Sequence, residues 1–333
     1  MLEKSYKFSD VAIQQKKCIV NSRSEIDIKS EIIKGVFENP LIAANMSTVV
    51  NSQFIIKLGK LHCLGIMHRA GEKSEILDEV KKISSHKNTG WSAASVGIGD
   101  DQFNFADKLI RAGAEIITID VAHGWCNRVL ELNHRIKHFY PQIKTIIGNV
   151  VNPDIINEII NTYTENYWPD AIKVGIGGGL GCSTATTAGC TMNQWIAVYN
   201  FSQRMKNLGV DIPIISDGNI RTPSDFVKAI GAGASGVMAG SIFASCPESA
   251  AKTKRVWFKK KKIYQGMASR PVQEKWRGKV NNDCPEGKTV LLDLGEPVEN
   301  LLARYNGALR SGISYAGFNN IQDFQKGCEF IAI

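Results

Sequence analysis

The amino-acid sequence predicts an α/β protein, a (β/α)8 TIM barrel that forms a single domain. Three observations support this prediction: strand-like and helix-like segments alternate eight times, the strand segments are mostly apolar, and 333 residues suit one barrel. Strands that are apolar on both faces predict a parallel sheet whose outer face is covered by helices. An open, doubly wound sheet is the structural alternative. In either fold, functional residues follow the carboxyl ends of the strands.

The eight predicted strands are short, and many of their residues are β-branched. They are residues 40–45, 64–68, 92–96, 116–120, 144–150, 171–175, 212–217 and 236–240. Amphipathic patterns between the strands predict helices, among them 103–112, 127–139, 153–162 and 224–231. The last of these helices follows Thr222-Pro223-Ser224, a typical helix start.

Composition and charge narrow the class of protein. Hydrophobic residues make up 44% and charged residues 22%, and no apolar run is long enough for a membrane span, so we expect a cytoplasmic protein without a membrane partner. The net charge of +8 suits an anionic substrate. Part of this excess lies in residues 252–262 (KTKRVWFKKKK), which indicates either nucleic-acid binding or a solvated surface. We favour the solvated surface, because no nucleic-acid-binding module is recognisable.

The spacing of the cysteines and histidines matches few of the patterns that bind a metal or form disulfides. The eight cysteines include no CxxC pair, so we expect reduced thiols. His134 and His138 are four residues apart and could share a helix face that binds zinc, but an exposed helix face is the favoured interpretation.

The segment most informative about chemistry is residues 173–194 (KVGIGGGLGCSTATTAGCTMNQ). A strand leads into five closely spaced glycines and then into Cys182-Ser183-Thr184. Glycines let the backbone approach a ligand or an ion, and a cysteine followed by two hydroxyls can be a nucleophile with nearby proton donors. The alternative is a flexible loop that holds an unreactive cysteine. The spacing fits neither a P-loop nor a dinucleotide-binding fingerprint.

This segment resembles the catalytic loop of the IMP dehydrogenase/GMP reductase family, whose pattern is roughly KVGIGPGSxCTT. Other stretches resemble family segments in the same order, among them IAANM, IDVAHG, GNVV, IISDG, AGASGVMAG, GMAS and EGKTV. The resemblance implies one barrel without an inserted regulatory domain, a homotetramer and a purine nucleotide substrate. It also implies an N-terminal extension at residues 1–35, and a basic segment with an active-site flap at about 252–290.

The resemblance assigns roles to individual residues. Cys182 would be the thiolate that attacks C2 of the purine, and the carbonyls of Gly177, Gly179 and Cys182 would hold a potassium ion. The nucleotide would contact Asp217, Gly218, Gly240, Ser241, Met267, Ser269 and Met46, and the cofactor would contact Asp120, Arg69 and Ala122. For Asp120 and Asp217, the residues alone leave a second interpretation open, namely that each caps the next helix.

Two features favour the reductase branch of the family. The candidate flap, residues 270–285, lacks the Arg-Tyr pair with which dehydrogenases activate water. Thr184 and Glu286 occupy the positions that reductases use to protonate the leaving amine. The implied activity is the NADPH-dependent conversion of GMP to IMP and ammonia. On the residues alone, Glu286 would be a solvated loop charge.

Several positions depart from the family pattern. Leu180 replaces a serine that helps bind phosphate, Asn219 replaces a glycine, Gly178 replaces the loop proline, and Met67-His68-Arg69 replaces a cofactor-contacting HKHY segment. Three alternatives therefore stay open: an IMP dehydrogenase-like enzyme in which Arg277 activates water, a catalytically silent nucleotide-binding or RNA-associated protein, and a flavin-binding barrel.

Overall fold

The computed structural model describes residues 4–86, 90–277 and 284–333, without the side chain of Arg277. The strands of the described residues, in chain order, are β1 (Val11–Ile13), β2 (Ser30–Ile33), β3 (Val36–Ala43), β4 (Cys63–Met67), β5 (Ala93–Val96), β6 (Ile116–Asp120), β7 (Lys144–Val150), β8 (Ala171–Val174), β9 (Ile214–Asp217), β10 (Gly236–Ala239), β11 (Thr253–Val256), β12 (Lys259–Gln265), β13 (Thr289–Asp293) and β14 (Phe330–Ala332).

The α-helices follow the barrel strands and the flap. They are α1 (Ser52–Lys60), α2 (Lys73–Ser85), α3 (Gln102–Arg111), α4 (Asn127–Phe139), α5 (Ile155–Thr162), α6 (Thr184–Thr187), α7 (Gln194–Leu208), α8 (Pro223–Gly231), α9 (Ser241–Ala244), α10 (Arg270–Arg277), α11 (Val298–Tyr315) and α12 (Ile321–Gly327). Three short 3-10 turns lie at Phe8–Asp10, Arg23–Glu25 and Glu165–Tyr167.

The eight parallel strands β3 to β10 close into a barrel. Each pairs with the next in chain order, and β10 pairs back onto β3 through Val237 with Leu41 and Ala239 with Ala43. The predicted (β/α)8 barrel is therefore confirmed, and the open-sheet alternative is wrong. All eight predicted strands are present, and β6 and β7 have the predicted bounds.

The barrel interior is filled by apolar side chains contributed by its strands. The inner cluster is made of Ile32, Ile33, Val36, Ile42, Ala44, Leu64, Ile66, Ala93, Ile116, Ile146, Ala171, Ile215 and Met238. The hairpin of β2 and β3 covers the amino-terminal end, where Ile32 packs close to Gly236 at the start of β10. The opposite, carboxyl-terminal end carries the polar residues that the sequence analysis singled out.

Helix α8 begins where the sequence predicts a helix start. The Thr222 hydroxyl accepts a hydrogen bond from the Asp225 N–H (3.2 Å), and the Asp225 carboxylate accepts one from the Thr222 N–H (2.8 Å). With Pro223 in the first turn, this reciprocal capping box satisfies N–H groups that would otherwise lack partners. Helix α8 therefore begins only after the loop that follows β9, so this loop can line the site.

The basic run 252–262 forms an antiparallel hairpin rather than a loop or helix. Strands β11 and β12 pair through Arg255 with Lys260, and the tip residues Trp257 and Phe258 are 88% and 92% exposed. Lys262 is the exception to the solvated surface that we expected. It is buried, and its ammonium donates hydrogen bonds to the carbonyls of Pro247 and Ala251, both at 3.0 Å.

The structure also describes the cysteines and the two histidines that the sequence analysis considered. All eight cysteines are free. The rings of His134 and His138 both lie on α4, where His134 also packs 4.4 Å from the Tyr167 ring. Within residues 4–86, 90–277 and 284–333, no group of three or more His, Cys, Asp or Glu residues could hold a metal ion. Over the same ranges, no helix combines the length and the apolar character that a membrane crossing requires.

Candidate active site

A cavity of about 400 Å³ opens at the carboxyl-terminal end of the barrel. Of the residues that the sequence analysis assigned to the site, those lining this cavity are Met46, Arg69, Asp120, Ala122, Gly177, Gly179, Cys182, Thr184, Asp217, Gly218, Gly240, Ser241, Met267 and Glu286. Residues that follow different strands thus meet at one place, as expected for the carboxyl ends of barrel strands.

Ser269 is the assigned residue that does not line the cavity. It is 1% exposed, immediately before helix α10, and forms a bridge with Gly287 of the segment that crosses above it. Its backbone N–H donates to the Gly266 carbonyl at 2.9 Å, which completes the turn into the helix. The Ser269 side chain is therefore buried and does not line the cavity.

The glycine-rich loop after β8 packs tightly against its neighbours. A Cβ on Gly175 would lie 2.0 Å from the Asp217 carbonyl oxygen, so only glycine lets β8 end so close to β9. Gly177 has a φ of +81°, in the left-handed region that favours glycine. The Thr191 hydroxyl donates to the Ile176 carbonyl at 3.0 Å and ties the loop to the segment that follows it. The glycines thus let the loop pass close to the end of β9 and to the segment that follows the loop.

Cys182 lies at the end of this loop beside two possible hydrogen-bond donors. Its Sγ atom is 3.1 Å from the Thr184 hydroxyl oxygen and 3.5 Å from the Thr184 backbone nitrogen. Thr184 itself is buried at the start of the short helix α6. The hydroxyl and the N–H of Thr184 thus both lie within hydrogen-bond distance of the sulfur. The arrangement is suited to a nucleophilic cysteine with a proton donor beside it.

The flap segment near Glu286 is bound to the cysteine loop through its backbone. The Ser183 N–H donates to the Glu286 carbonyl at 3.0 Å, and the Lys288 N–H donates to the Gly181 carbonyl at 2.9 Å. Glu286 is partly buried and lines the cavity, so it is not a fully solvated loop charge. Residues 278–283 of the predicted flap, and the side chain of Arg277, lie outside the described residues.

A buried lysine joins two carboxylates at the floor of the cavity. The Lys173 ammonium lies 2.8 Å from Asp120 Oδ1 and 2.8 Å from Asp217 Oδ2. Asn149 donates from Nδ2 to the same Asp217 oxygen at 2.9 Å, and its own side-chain oxygen accepts a hydrogen bond from Lys173. The two carboxylates and one ammonium leave a local charge of one negative unit.

The pKa values of this cluster follow from its charges. Burial alone would raise the pKa of Asp120, but the positive charges of Lys173 and Arg69 hold it below its usual value. Burial alone would lower the pKa of Lys173, but the Asp120 and Asp217 carboxylates raise it above its usual value. Asp120 and Lys173 are therefore both ionised at neutral pH.

The second interpretation of Asp120 and Asp217, as helix caps, is wrong. The N-cap residue of α4 is Cys126, and that of α8 is Thr222. Lys173 and Asn149 had no assigned role in the sequence analysis, although a lysine inside the apolar strand AIKV was a visible signal. A lysine is almost never fully buried unless it is paired.

Arg69 and Trp276 lie on the side of the cavity assigned to the cofactor. Arg69 Nε is 3.9 Å from Asp120 Oδ2, and its guanidinium lies 4.9 Å from the centre of the Trp276 ring. Strand β6, which ends in Asp120, lies opposite β10 in the ring of eight strands. Asp120 and Ala122, which were assigned to the cofactor, therefore lie across the cavity from Gly240 and Ser241, which follow β10 and were assigned to the nucleotide.

Tyr264 is a cavity residue that the sequence analysis missed. Its hydroxyl donates to Met46 Sδ at 3.3 Å, and a Cβ on Gly240 would lie 2.4 Å from that hydroxyl. Burial raises the pKa of Tyr264, so it stays a neutral donor. It follows the basic run on β12, and the alternation of buried and exposed residues along this strand was the available signal.

Comparison with known proteins identifies the family of this chain. A family model described as IMP dehydrogenase / GMP reductase domain matches residues 5–333. A GMP reductase of Streptococcus suis is 36% identical over 317 residues, which cover 95% of this chain and 91% of that relative. A GMP reductase of Helicobacter pylori is 36% identical over 327 residues (97% and 94%), and one of Staphylococcus epidermidis is 34% identical over 325 residues (97% and 94%). The chain therefore belongs to the IMP dehydrogenase/GMP reductase family.

Proposed function

We propose that this protein is an NADPH-dependent GMP reductase, which catalyses GMP + NADPH + H⁺ → IMP + NH₃ + NADP⁺. The observation that carries the proposal is the contact between Cys182 Sγ and the Thr184 hydroxyl, 3.1 Å apart, in a cavity that Glu286 also lines. In this proposal, Cys182 is the nucleophile, and Thr184 and Glu286 transfer protons within the same cavity. The similarity to proteins named GMP reductase supports the choice of reaction.

The proposed substrate site runs from the floor of the barrel to β10. Asp217 accepts hydrogen bonds from the ribose hydroxyls beside Gly218, while Met46 and Met267 contact the base. The backbone N–H groups of Gly240 and Ser241, which follow β10 in the cavity wall, bind the 5′-phosphate. This matches the frequent phosphate site after strands seven and eight of such barrels. Ser269 is not part of the proposal, because it does not line the cavity.

The first chemical stage is loss of ammonia from C2. The Cys182 thiolate attacks C2, and a C–S bond forms. The bond from C2 to the exocyclic nitrogen then breaks, and the amine takes a proton from the Thr184 hydroxyl as it leaves. Glu286, held beside the loop by the Ser183–Glu286 backbone hydrogen bond, supplies the replacement proton. The product of this stage is a purine bound covalently to Cys182.

The second stage needs a hydride at C2, which a reduced nicotinamide cofactor supplies when bound. The side of the cavity lined by Arg69, Asp120 and Ala122 fits such a group, because it combines a charged pair with the Trp276 ring. Once C2 carries the hydride, the C–S bond breaks and Cys182 leaves as a thiolate. Lys173 pairs with the carboxylates of Asp120 and Asp217 in both stages.

The proposal includes a potassium ion held by the carbonyls of Gly177, Gly179 and Cys182. Uncharged carbonyl oxygens suit a monovalent cation better than a transition metal. The left-handed φ of Gly177 fits a loop whose backbone turns to present such groups. Following the family resemblance, we also propose a cytoplasmic homotetramer in which about 252–290 carries the flap over the site.

An absorbance assay at the nicotinamide band tests the proposed function. The purified protein is mixed with NADPH, NADH, NADP⁺ or NAD⁺ and, in turn, with GMP, IMP, XMP and AMP. We expect absorbance loss with GMP and NADPH, accompanied by ammonia release. NADH formation from IMP would instead support a dehydrogenase. Tight GMP binding without turnover would support a silent paralogue, and a yellow protein would indicate a flavin.

A further inference from the structure

Two loops at the carboxyl end of the barrel touch through Gly178 and Asn219. A Cβ on Gly178 would lie 2.8 Å from the Asn219 Nδ2 atom and 3.2 Å from its Cγ atom. A Cβ on Gly218 would lie 3.5 Å from the Gly178 carbonyl carbon and the Gly179 nitrogen. The Asn219 carboxamide therefore occupies the space that any side chain at position 178 would need.

The Asn219 side chain lies in the cavity wall without a hydrogen-bond partner among the described residues. Its φ of +58° is in the left-handed region, which asparagine adopts more readily than most residues other than glycine. The residue lines the cavity, and its carboxamide makes no hydrogen bond with the part of the chain that the structure describes. Two N–H donors are therefore available at the cavity surface.

The surroundings of Asn219 favour an anion. Leu180, on the opposing loop, packs against the hydrophobic core and offers no donor. Arg221 lines the same cavity, is exposed and forms no ion pair within the described residues. The Asp217 carboxylate nearby already accepts hydrogen bonds from Lys173 and Asn149, and it shares the Lys173 ammonium with Asp120. A guanidinium without an ion-pair partner and a carboxamide without a hydrogen-bond partner, both among the described residues, thus line the same cavity and can both donate to a negative group.

We infer that the Asn219 carboxamide donates a hydrogen bond to the phosphate of the bound nucleotide, and that Gly178 is the residue that leaves room for it. The inference rests on the proposed function in one respect, namely that the substrate is a nucleoside monophosphate. It assigns substrate recognition to a side chain at position 219, which compensates for the absence of a polar side chain at Leu180. A hydrogen bond to a charged group contributes enough to change affinity about 10- to 100-fold.

Calorimetric titration of the purified protein with GMP, guanosine and inorganic phosphate tests this inference. Asn219→Gly should weaken GMP binding about 10- to 100-fold and leave guanosine binding unchanged. Asn219→Asp should weaken GMP binding further, because a carboxylate would face the phosphate. Asn219→Gly should not lower the melting temperature, because glycine adopts a φ of +58° freely. A binding loss caused by misfolding would therefore be visible in the same sample.

The role of Gly178 is tested by a double-mutant cycle. Gly178→Ala should also weaken GMP binding, because its Cβ would push against the Asn219 carboxamide. In Gly178→Ala with Asn219→Gly, the alanine should cost little more, because the carboxamide is gone. Gly307→Ala is the matched control, since nothing lies within 4 Å of a Cβ there.

Each result bears on a different claim. Unchanged GMP affinity in Asn219→Gly, or an equal loss for GMP and guanosine, would overturn the inference. Additive losses in the double variant would overturn the role of Gly178. A protein that binds GMP or phosphate through Asn219 but does not oxidise NADPH would contradict the proposed function and support this inference.

Discussion

The Lys173 ammonium lies 2.8 Å from the Asp217 carboxylate, and this ion pair links strand β8 to the end of strand β9 at the floor of the cavity. Asp120 lies at the same distance on the other side of the ammonium, so the ends of β6, β8 and β9 are held by one cation. Burying an unpaired charge is costly, whereas burying a well-paired one is tolerated. The cluster therefore holds two carboxylates beside one ammonium at the place where the proposal puts the ribose and the cofactor.

Replacing Lys173 with methionine should strongly destabilise the protein. Two buried carboxylates would lose their shared partner, so we expect the free energy of unfolding to fall by about 3–5 kcal/mol. Urea unfolding monitored by circular dichroism measures this change. Lys260→Met, on the exposed hairpin, should change it by less than about 0.5 kcal/mol. Equal effects of the two substitutions would show that the cluster does not stabilise the fold.

His68 predicts an acid-sensitive component of stability. Burial lowers its pKa to about 4, whereas an unfolded histidine titrates near 6.5. Between these values the unfolded state binds more protons, so stability is lost as the pH falls from 6.5 towards 4. The loss attributable to His68 is about 3 kcal/mol at most.

Unfolding measured between pH 4 and 8 in His68→Gln should therefore show a flatter pH dependence than the parent protein. The exposed His138 provides the control, because His138→Gln should keep the parent slope. A parent-like slope in His68→Gln would mean that another group causes the acid sensitivity.

The fold was predictable because its signals are local. Apolar runs mark the strands, and Thr222-Pro223-Ser224 marks the start of α8, where the capping box forms. The position of Lys173 between two carboxylates was not predictable, because it depends on the register among β6, β8 and β9. Tyr264 was missed for a similar reason: its place beside Gly240 arises only when the basic hairpin folds over the barrel end. Ser269 looked like a cavity residue by position, but the bridge to Gly287 covers it.

Glu286→Gln should slow GMP turnover by roughly 10²–10⁴-fold, the usual contribution of a placed general acid. The loss should appear in ammonia release, since the proton serves the leaving amine. With IMP and NADP⁺, the variant should still form the covalent adduct, visible as a mass increase of the Cys182 peptide. Glu274→Gln, exposed on α10, is the control. Ammonia release at the parent rate would reduce Glu286 to a flap charge.

Exchange of potassium for sodium or lithium should slow turnover without unfolding the protein. The carbonyls proposed as ligands belong to one loop, Gly177, Gly179 and Cys182, whereas the barrel is held by its strands and core. Steady-state rates and melting temperatures in chloride salts of equal ionic strength measure both effects. Rates that do not depend on the cation would exclude the ion site.

Covalent catalysis by Cys182 is the central claim, and the adjacent segment offers a matched control in Cys190. Cys190 is an exposed cysteine eight positions later, so Cys190→Ala should leave turnover near the parent value. Cys182→Ala removes the nucleophile but not Asp217, Gly240 or Ser241, so GMP should still bind.

The most direct test is the rate of NADPH oxidation by Cys182→Ala at saturating GMP, beside Cys190→Ala and the parent protein. The account predicts no measurable oxidation in Cys182→Ala and near-parent oxidation in Cys190→Ala. A Cys182→Ala protein that retains a substantial fraction of the parent rate would contradict it.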